Sequence, residues 1–225
     1  MKVRAEMNPA AWQTDARAVC DLVKQSSKGN SRAIIAIAGP PASGKSTLAE
    51  TVVQLICSES DSAVPRASLL PMDGYHLDNH ILKSRGLLAR KGAPETFDAD
   101  GFCSDVKRLS SARRELYYPR FYREMDLAIA NSIVIHPQTP VVVIEGNYLL
   151  LKSRPWSSLR SVFTTTVFLN PSLDVLRDRL MQRWKNHGLD PEAAKLRVFG
   201  NDLPNAELVL RESGEADLWL GQAQD

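Results

Sequence analysis

Residues 33–38, Ala33-Ile34-Ile35-Ala36-Ile37-Ala38, are apolar at every position, so a strand built from them has no face for water. Such a run marks a central strand of a parallel sheet covered by helices on both sides. Ahead of it, Ala10, Trp12, Ala16, Val19 and Val23 recur at helical spacing and predict a leading helix, broken by the polar stretch Ser26 to Ser31. Behind it, Leu48, Val52, Val53 and Ile56 make the apolar stripe of a helix over 45–57. Three further runs, at 67–71, 141–145 and 165–169, read as strands and alternate with helical stretches near 100–113 and 173–185. This alternation predicts an α/β fold, a doubly wound and mainly parallel sheet with helices on both faces. The stretch from Asp78 to about 98 is basic, broken by Gly86 and Gly92 and weakly periodic, which suggests an insertion over the active site within one domain spanning 1–225.

Composition narrows the classes. The 28 basic and 26 acidic side chains nearly cancel to a net charge of +2, so no overall field draws in nucleic acid. Cys20, Cys57 and Cys103 are odd in number, far apart and without a Cys-x-x-Cys pair, as expected of reduced thiols and not of a disulfide frame or zinc site. No long apolar stretch follows Lys2 and Arg4, and no segment approaches the apolar length of a membrane span, so no membrane insertion is expected and a cytoplasmic protein is. A homodimer stays open.

The strand at 33–38 runs into Gly39-Pro40-Pro41-Ala42-Ser43-Gly44-Lys45-Ser46-Thr47, a complete Gly-x-x-x-x-Gly-Lys-Ser loop followed by a helix. In that context the two glycines let backbone N–H groups turn around a triphosphate, Lys45 sets a charge against the β and γ phosphates, and Ser46 offers a hydroxyl to magnesium. Gly39, Pro40, Ala42, Ser43, Gly44, Lys45, Ser46 and Thr47 are the expected nucleotide contacts. Ligands of open α/β sheets gather beyond the carboxyl ends of the strands, where two acids stand. Asp73 follows the strand 67–71 and Glu145 ends 141–145. Either has the chemistry to touch magnesium or an acceptor hydroxyl, and either also suits an acidic turn that caps the next helix. Arg179 and Arg183, four apart before the breaker His187-Gly188, share one helical face in a segment, about 177–200, with the makings of a mobile lid. Arg177 has the bland alternative of pairing with Asp174 or Asp178.

Four ordered motifs carry a resemblance: the phosphate loop, Pro71-Met72-Asp73-Gly74-Tyr75-His76, Arg90-Lys91-Gly92-Ala93-Pro94-Glu95-Thr96-Phe97-Asp98, and Val143-Ile144-Glu145-Gly146-Asn147-Tyr148. Together they resemble the phosphoribulokinase, uridine kinase and pantothenate kinase family, and most of all its bacterial kinases associated with fructose transport. The resemblance implies ATP and Mg2+ as cofactors and a small-molecule acceptor, a sugar such as fructose or else a nucleoside or pantothenate. It assigns Asp73 as general base toward the acceptor hydroxyl, Glu145 as support for magnesium or its waters, and Arg179 with Arg183 as the lid pair. Lys45 and Arg183 then meet the developing charge. Tyr75, His76, Lys91, Glu95, Arg120, Tyr122 and Arg123 are the polar candidates for the acceptor pocket. Similar kinases more often carry an acid where Tyr122 stands. Asn205 is a candidate for the pocket or the adenine side. His76 and His80 have metal-ligand spacing, but magnesium prefers oxygen. The rival from another class, a regulatory nucleotide switch, is disfavoured because the chain has no Asn-Lys-x-Asp base-reading motif and a switch needs no acid pair beside an acceptor pocket.

Overall fold

Alternate residues of β1 (Ala33–Ala38) enter two different cores, which is why the strand is apolar throughout. In the computed structural model, which describes residues 9–26, 32–58 and 62–221, five parallel strands form one sheet in the order β2-β5-β1-β6-β7. The three later strands expected from the sequence are β2 (Ala67–Pro71), β5 (Val141–Gly146) and β6 (Thr165–Leu169). Ile35 and Ile37 face α1 (Pro9–Ser26) and α2 (Lys45–Cys57) across a core shared with Val19, Leu48 and Val52. Ile34 and Ala36 face Phe102, Tyr118, Tyr148 and Trp156 on the other side. Each fully buried isoleucine stabilises the sheet by about 1.5–3 kcal/mol relative to exposure. The polar break expected at Ser26 to Ser31, and the amino-terminal Lys2 and Arg4, lie almost wholly outside the described residues.

Three elements depart from the sequence expectation. The helix expected over 100–113 is α4 (Ala99–Arg108), followed by a single 3-10 turn, Leu109–Ser111. The segment 78–98 has structure of its own: α3 (Asn79–Ser84), capped by the Asp78 carboxylate on the His80 amide, and two 3-10 turns at Leu88–Arg90 and Pro94–Thr96. A two-stranded antiparallel hairpin, β3 (Leu116–Tyr122) and β4 (Leu127–Ile135), was not expected at all. Its register breaks beside Pro119, which has no N–H to give to the ladder.

The helix expected over 173–185 is α5 (Leu173–Asn186), and it stops at Gly188, whose φ of 84 suits glycine. Then follow α6 (Pro191–Arg197), a π turn (Val198–Asp202), α7 (Leu203–Glu212) and the edge strand β7 (Leu218–Leu220). At the end of the sheet away from the phosphate loop, Arg32 donates to the carbonyls of Leu109, His136, Pro137 and Thr139, tying α4's exit to the β4–β5 connection. The register pairs Ala38 with Gly146 and Pro71 with Glu145, so the carboxyl ends of β1, β2 and β5 finish side by side.

Candidate active site

The loop leaving β1 turns tightly. Gly39 and Gly44 hold φ of 156 and 98, and even Ala42 sits at 63. A Cβ on Gly44 would also lie 2.4 Å from the Trp12 ring of α1, so glycine is required there twice over. Arg179 of α5 donates to the carbonyls of Ala42 and Ser43 at 3.3 and 3.2 Å, and Lys45 Nζ lies 3.5 Å from the Pro40 carbonyl. The buried Ser43 hydroxyl has no partner among the described residues. Thr47 lies in the first turn of α2 on its exposed side.

Beyond the loop opens a cleft on whose walls Lys45, Ser46, Asp73, Glu145 and Arg183 come together. Glu145 is 5% exposed; burial pushes its carboxyl above the usual range, against the pull of Lys45 and a hydrogen bond from Ser46. Burial likewise disfavours charge on Lys45 and lowers its ammonium, while Glu145 and Asp73 oppose the shift. For Asp73 the balance goes the other way. Burial works against its charge, but Arg123, His76, Lys45 and Arg183 hold the carboxyl below its ordinary value. Two carboxylates of one cleft are thus held apart in character by their neighbours. Ser46 and Glu145 offer the oxygen donors magnesium prefers, with nucleotide phosphates and water left to complete its shell.

The acceptor candidates divide. His76 lies in the cleft between the rings of Phe97 and Phe121, at 4.1 and 4.7 Å, with Nδ1 2.8 Å from the Asp73 carbonyl. Lys91 also lines it, bound to Asn79 and Asp126. Tyr75 does not: its ring packs on Phe102 and its hydroxyl donates to the partly exposed Asp105 at 2.7 Å. Glu95 is exposed on a shallow surface recess and pairs with Arg90 at 3.4 Å. Arg120 and Tyr122 fall on the wrong face of β3, because strand side chains alternate and Phe121 and Arg123 take the cleft side. Arg123 reaches Asp73 Oδ2 at 2.5 Å. His80 is exposed and does not join His76. Arg177 pairs with Asp174 and Asp178 on the surface, at 2.7 and 3.3 Å.

Asn205 does line the cleft, and the structure adds Asp126, Asn147, Trp184, Arg197 and Asp202. Arg197 and Asn201 donate to the Lys91 carbonyl, and Trp184 Nε1 donates to Asp202, so the π turn and its flanks form the wall facing residues 88–92. Asn147 had a signal in the Glu145-Gly146-Asn147 motif and Asp202 in the family-like stretch Asn201-Asp202-Leu203-Pro204-Asn205; Asp126, Trp184 and Arg197 have none that spacing reveals. On the opposite side of the phosphate loop lies a second recess, lined by Trp12, Asp15, Leu169, Val175, Arg179 and Leu220.

The phosphoribulokinase/uridine kinase family model matches residues 34–211, a span that holds the loop, both acids and the wall. The chain belongs to that family. It is a P-loop kinase. Over 194 residues it is 31% identical to YggC of Escherichia coli (strain K12), covering 86% of this chain and 79% of that one. It is 33% identical over 205 residues to C227.14 of Schizosaccharomyces pombe, provisionally named a uridine kinase, with 87% and 85% covered. A solved structure from Silicibacter sp. TM1040, provisionally named a fructose transport system kinase, superposes with a TM-score of 0.83 at 39% identity, over 91% of this chain and 98% of the other.

Proposed function

We propose that this kinase transfers the γ-phosphoryl group of magnesium–ATP to a hydroxyl of a small molecule, a sugar such as fructose, in the cytoplasm. The observation that carries the reading is the single cleft in which the phosphate loop's Lys45 and Ser46 stand opposite Asp73. Lys45 and Arg183 would meet the negative charge of the transferring group, and Asp73 would take the acceptor's proton. Magnesium, held by Ser46 and Glu145, would neutralise the β and γ phosphates. The apolar recess beside Ser43 suits the nucleotide base, with Trp12 as its stacking platform. Among the acceptors, the sugar reading draws support from the name of the Silicibacter relative and the nucleoside reading from that of the yeast relative.

The test is a screen of sugars, nucleosides and pantothenate for acceptor-dependent ADP release, run with wild type and Lys45→Ala. A sugar should stimulate release in wild type alone, and Lys45→Ala should keep its thermal midpoint, since it removes a half-buried loop lysine and no core contact. Release that no acceptor stimulates, or a fully active Lys45→Ala, would end the reading.

A further inference from the structure

Arg123 sits in the turn joining β3 to β4, and its Nη2 donates to Asp73 Oδ2. Two restraints place it there. The β3 backbone bears directly on the turn that carries Asp73, since a Cβ on Gly74 would lie 2.4 Å from the Pro119 carbonyl oxygen. Only glycine allows the hairpin so close. Farther along the same hairpin turn, Asp126 accepts from Lys91 Nζ at 2.8 Å and from Asn79 Nδ2 at 2.7 Å, pinning the turn to the cleft wall.

The pair itself is open to exchange. The Arg123 side chain is 50% exposed and that of Asp73 20%, so water can replace what the guanidinium gives up, and a partly exposed ion pair holds weakly against a competing hydrogen-bond partner. While the pair stands, an Asp73 oxygen is engaged and its charge is partly neutralised, which leaves a poor acceptor for the proton of any water in the cleft. We propose that Arg123 is a specificity-determining residue that keeps Asp73 from activating water until an acceptor hydroxyl takes the guanidinium's place. The proposal rests on the kinase reading above. In transfer, the acceptor oxygen bonds to the γ-phosphorus as that phosphorus parts from the β–γ bridging oxygen, the hydroxyl proton passes to Asp73, and ADP leaves. With water in the acceptor's place the same steps give ADP and inorganic phosphate. A kinase must suppress that second outcome.

The experiment measures ADP release from magnesium–ATP without acceptor, together with ATP binding by calorimetry. Arg123→Ala should raise acceptor-free release by about tenfold or more, a part of the 10²- to 10⁴-fold that a positioned base supplies. Arg123→Lys, which keeps a cation near the carboxylate, should stay within a few-fold of wild type. The double variant Asp73→Asn with Arg123→Ala should fall back to the wild-type level, because the gain depends on the freed carboxylate. Release at or below wild type in Arg123→Ala, or a rise that survives in the double variant, overturns the proposal while leaving the kinase reading intact. Wild type that fails to bind ATP overturns both.

Discussion

Asp73 and Glu145 are the same chemistry in opposite surroundings. The first is surrounded by cations that favour its charge, the second is buried deeply enough to resist it. Asp73→Asn should therefore leave ATP affinity within a few-fold and lower turnover by about 10²-fold or more, the range for a lost base. Glu145→Gln should instead raise the magnesium concentration needed for half-maximal rate; magnesium titrations of both variants separate the two roles. His76 gives a pH prediction. Burial lowers its imidazole below the ordinary 6.5, against Asp73, which raises it. The unfolded chain then binds a proton more readily than the folded one, so the stability from keeping His76 neutral is present above that value and lost as pH falls through it. Urea unfolding at about pH 7.5 and 5.5 should show wild type losing more stability than His76→Gln, which has no such proton to gain. The sequence motifs located both acids and His76, because strand ends and tight turns leave local signatures. They could not tell Tyr75 from its neighbour, nor Arg120 from Arg123, because one step along a turn or strand reverses the direction of a side chain.

At the scale of elements, α1 does more than cover the sheet. Its Trp12 rests against Gly44 and lines the recess proposed for the base. Trp12→Ala should raise the KM for ATP about tenfold with little change in kcat, since stacking on an aromatic ring is worth about 1–3 kcal/mol and acts alike on ground and transition states. Binding of inorganic tripolyphosphate, which has no base, should not change; a calorimetric comparison of the two ligands checks this. The elements legible in sequence were those with a strong local signature: the apolar stripes of α1, α2 and α5, and the apolar runs of β1, β2, β5 and β6. The hairpin was not legible, because Pro119 interrupts β3 and the exposed Tyr117, Ile129 and Val134 blur the alternation of its two faces. The wall made by α6, the π turn and α7 was hidden for another reason. Its contacts to Lys91 span 106 and 110 residues of chain, and no local pattern records such distances.

For the molecule as a whole, α5 is the element that joins the phosphate loop to the cleft. Arg179 already touches the loop, whereas Arg183 lies in the cleft over the Trp184 ring at 5.9 Å, with Asp73, Asp202, Arg123 and Arg197 as charged neighbours. Arg183→Ala should lower transfer about 10²- to 10³-fold, as loss of one preorganised donor at a developing charge does, with little change in ATP binding. Single-turnover transfer and equilibrium ATP binding check the two halves. The parallel sheet follows from the alternating pattern read in the sequence, whereas the order β2-β5-β1-β6-β7 joins distant segments that no local pattern pairs. Among the described residues no helix is long and apolar enough to cross a membrane.

The π turn at Val198–Asp202 has a consequence for comparing relatives. It takes up one residue more than an α turn, so α6 and α7 run on through it although the chain there is one residue longer than a plain helix needs. Arg197, Asn201 and Asn205, spaced four apart through it, all address one wall. Deleting a single residue of this turn would leave an ordinary α-helix in which the residues on either side of it, Arg197 and Asn205 included, still share a face. A relative one residue shorter at 198–202 thus keeps the same face toward the cleft, and a gap there in an alignment does not by itself mark a different wall.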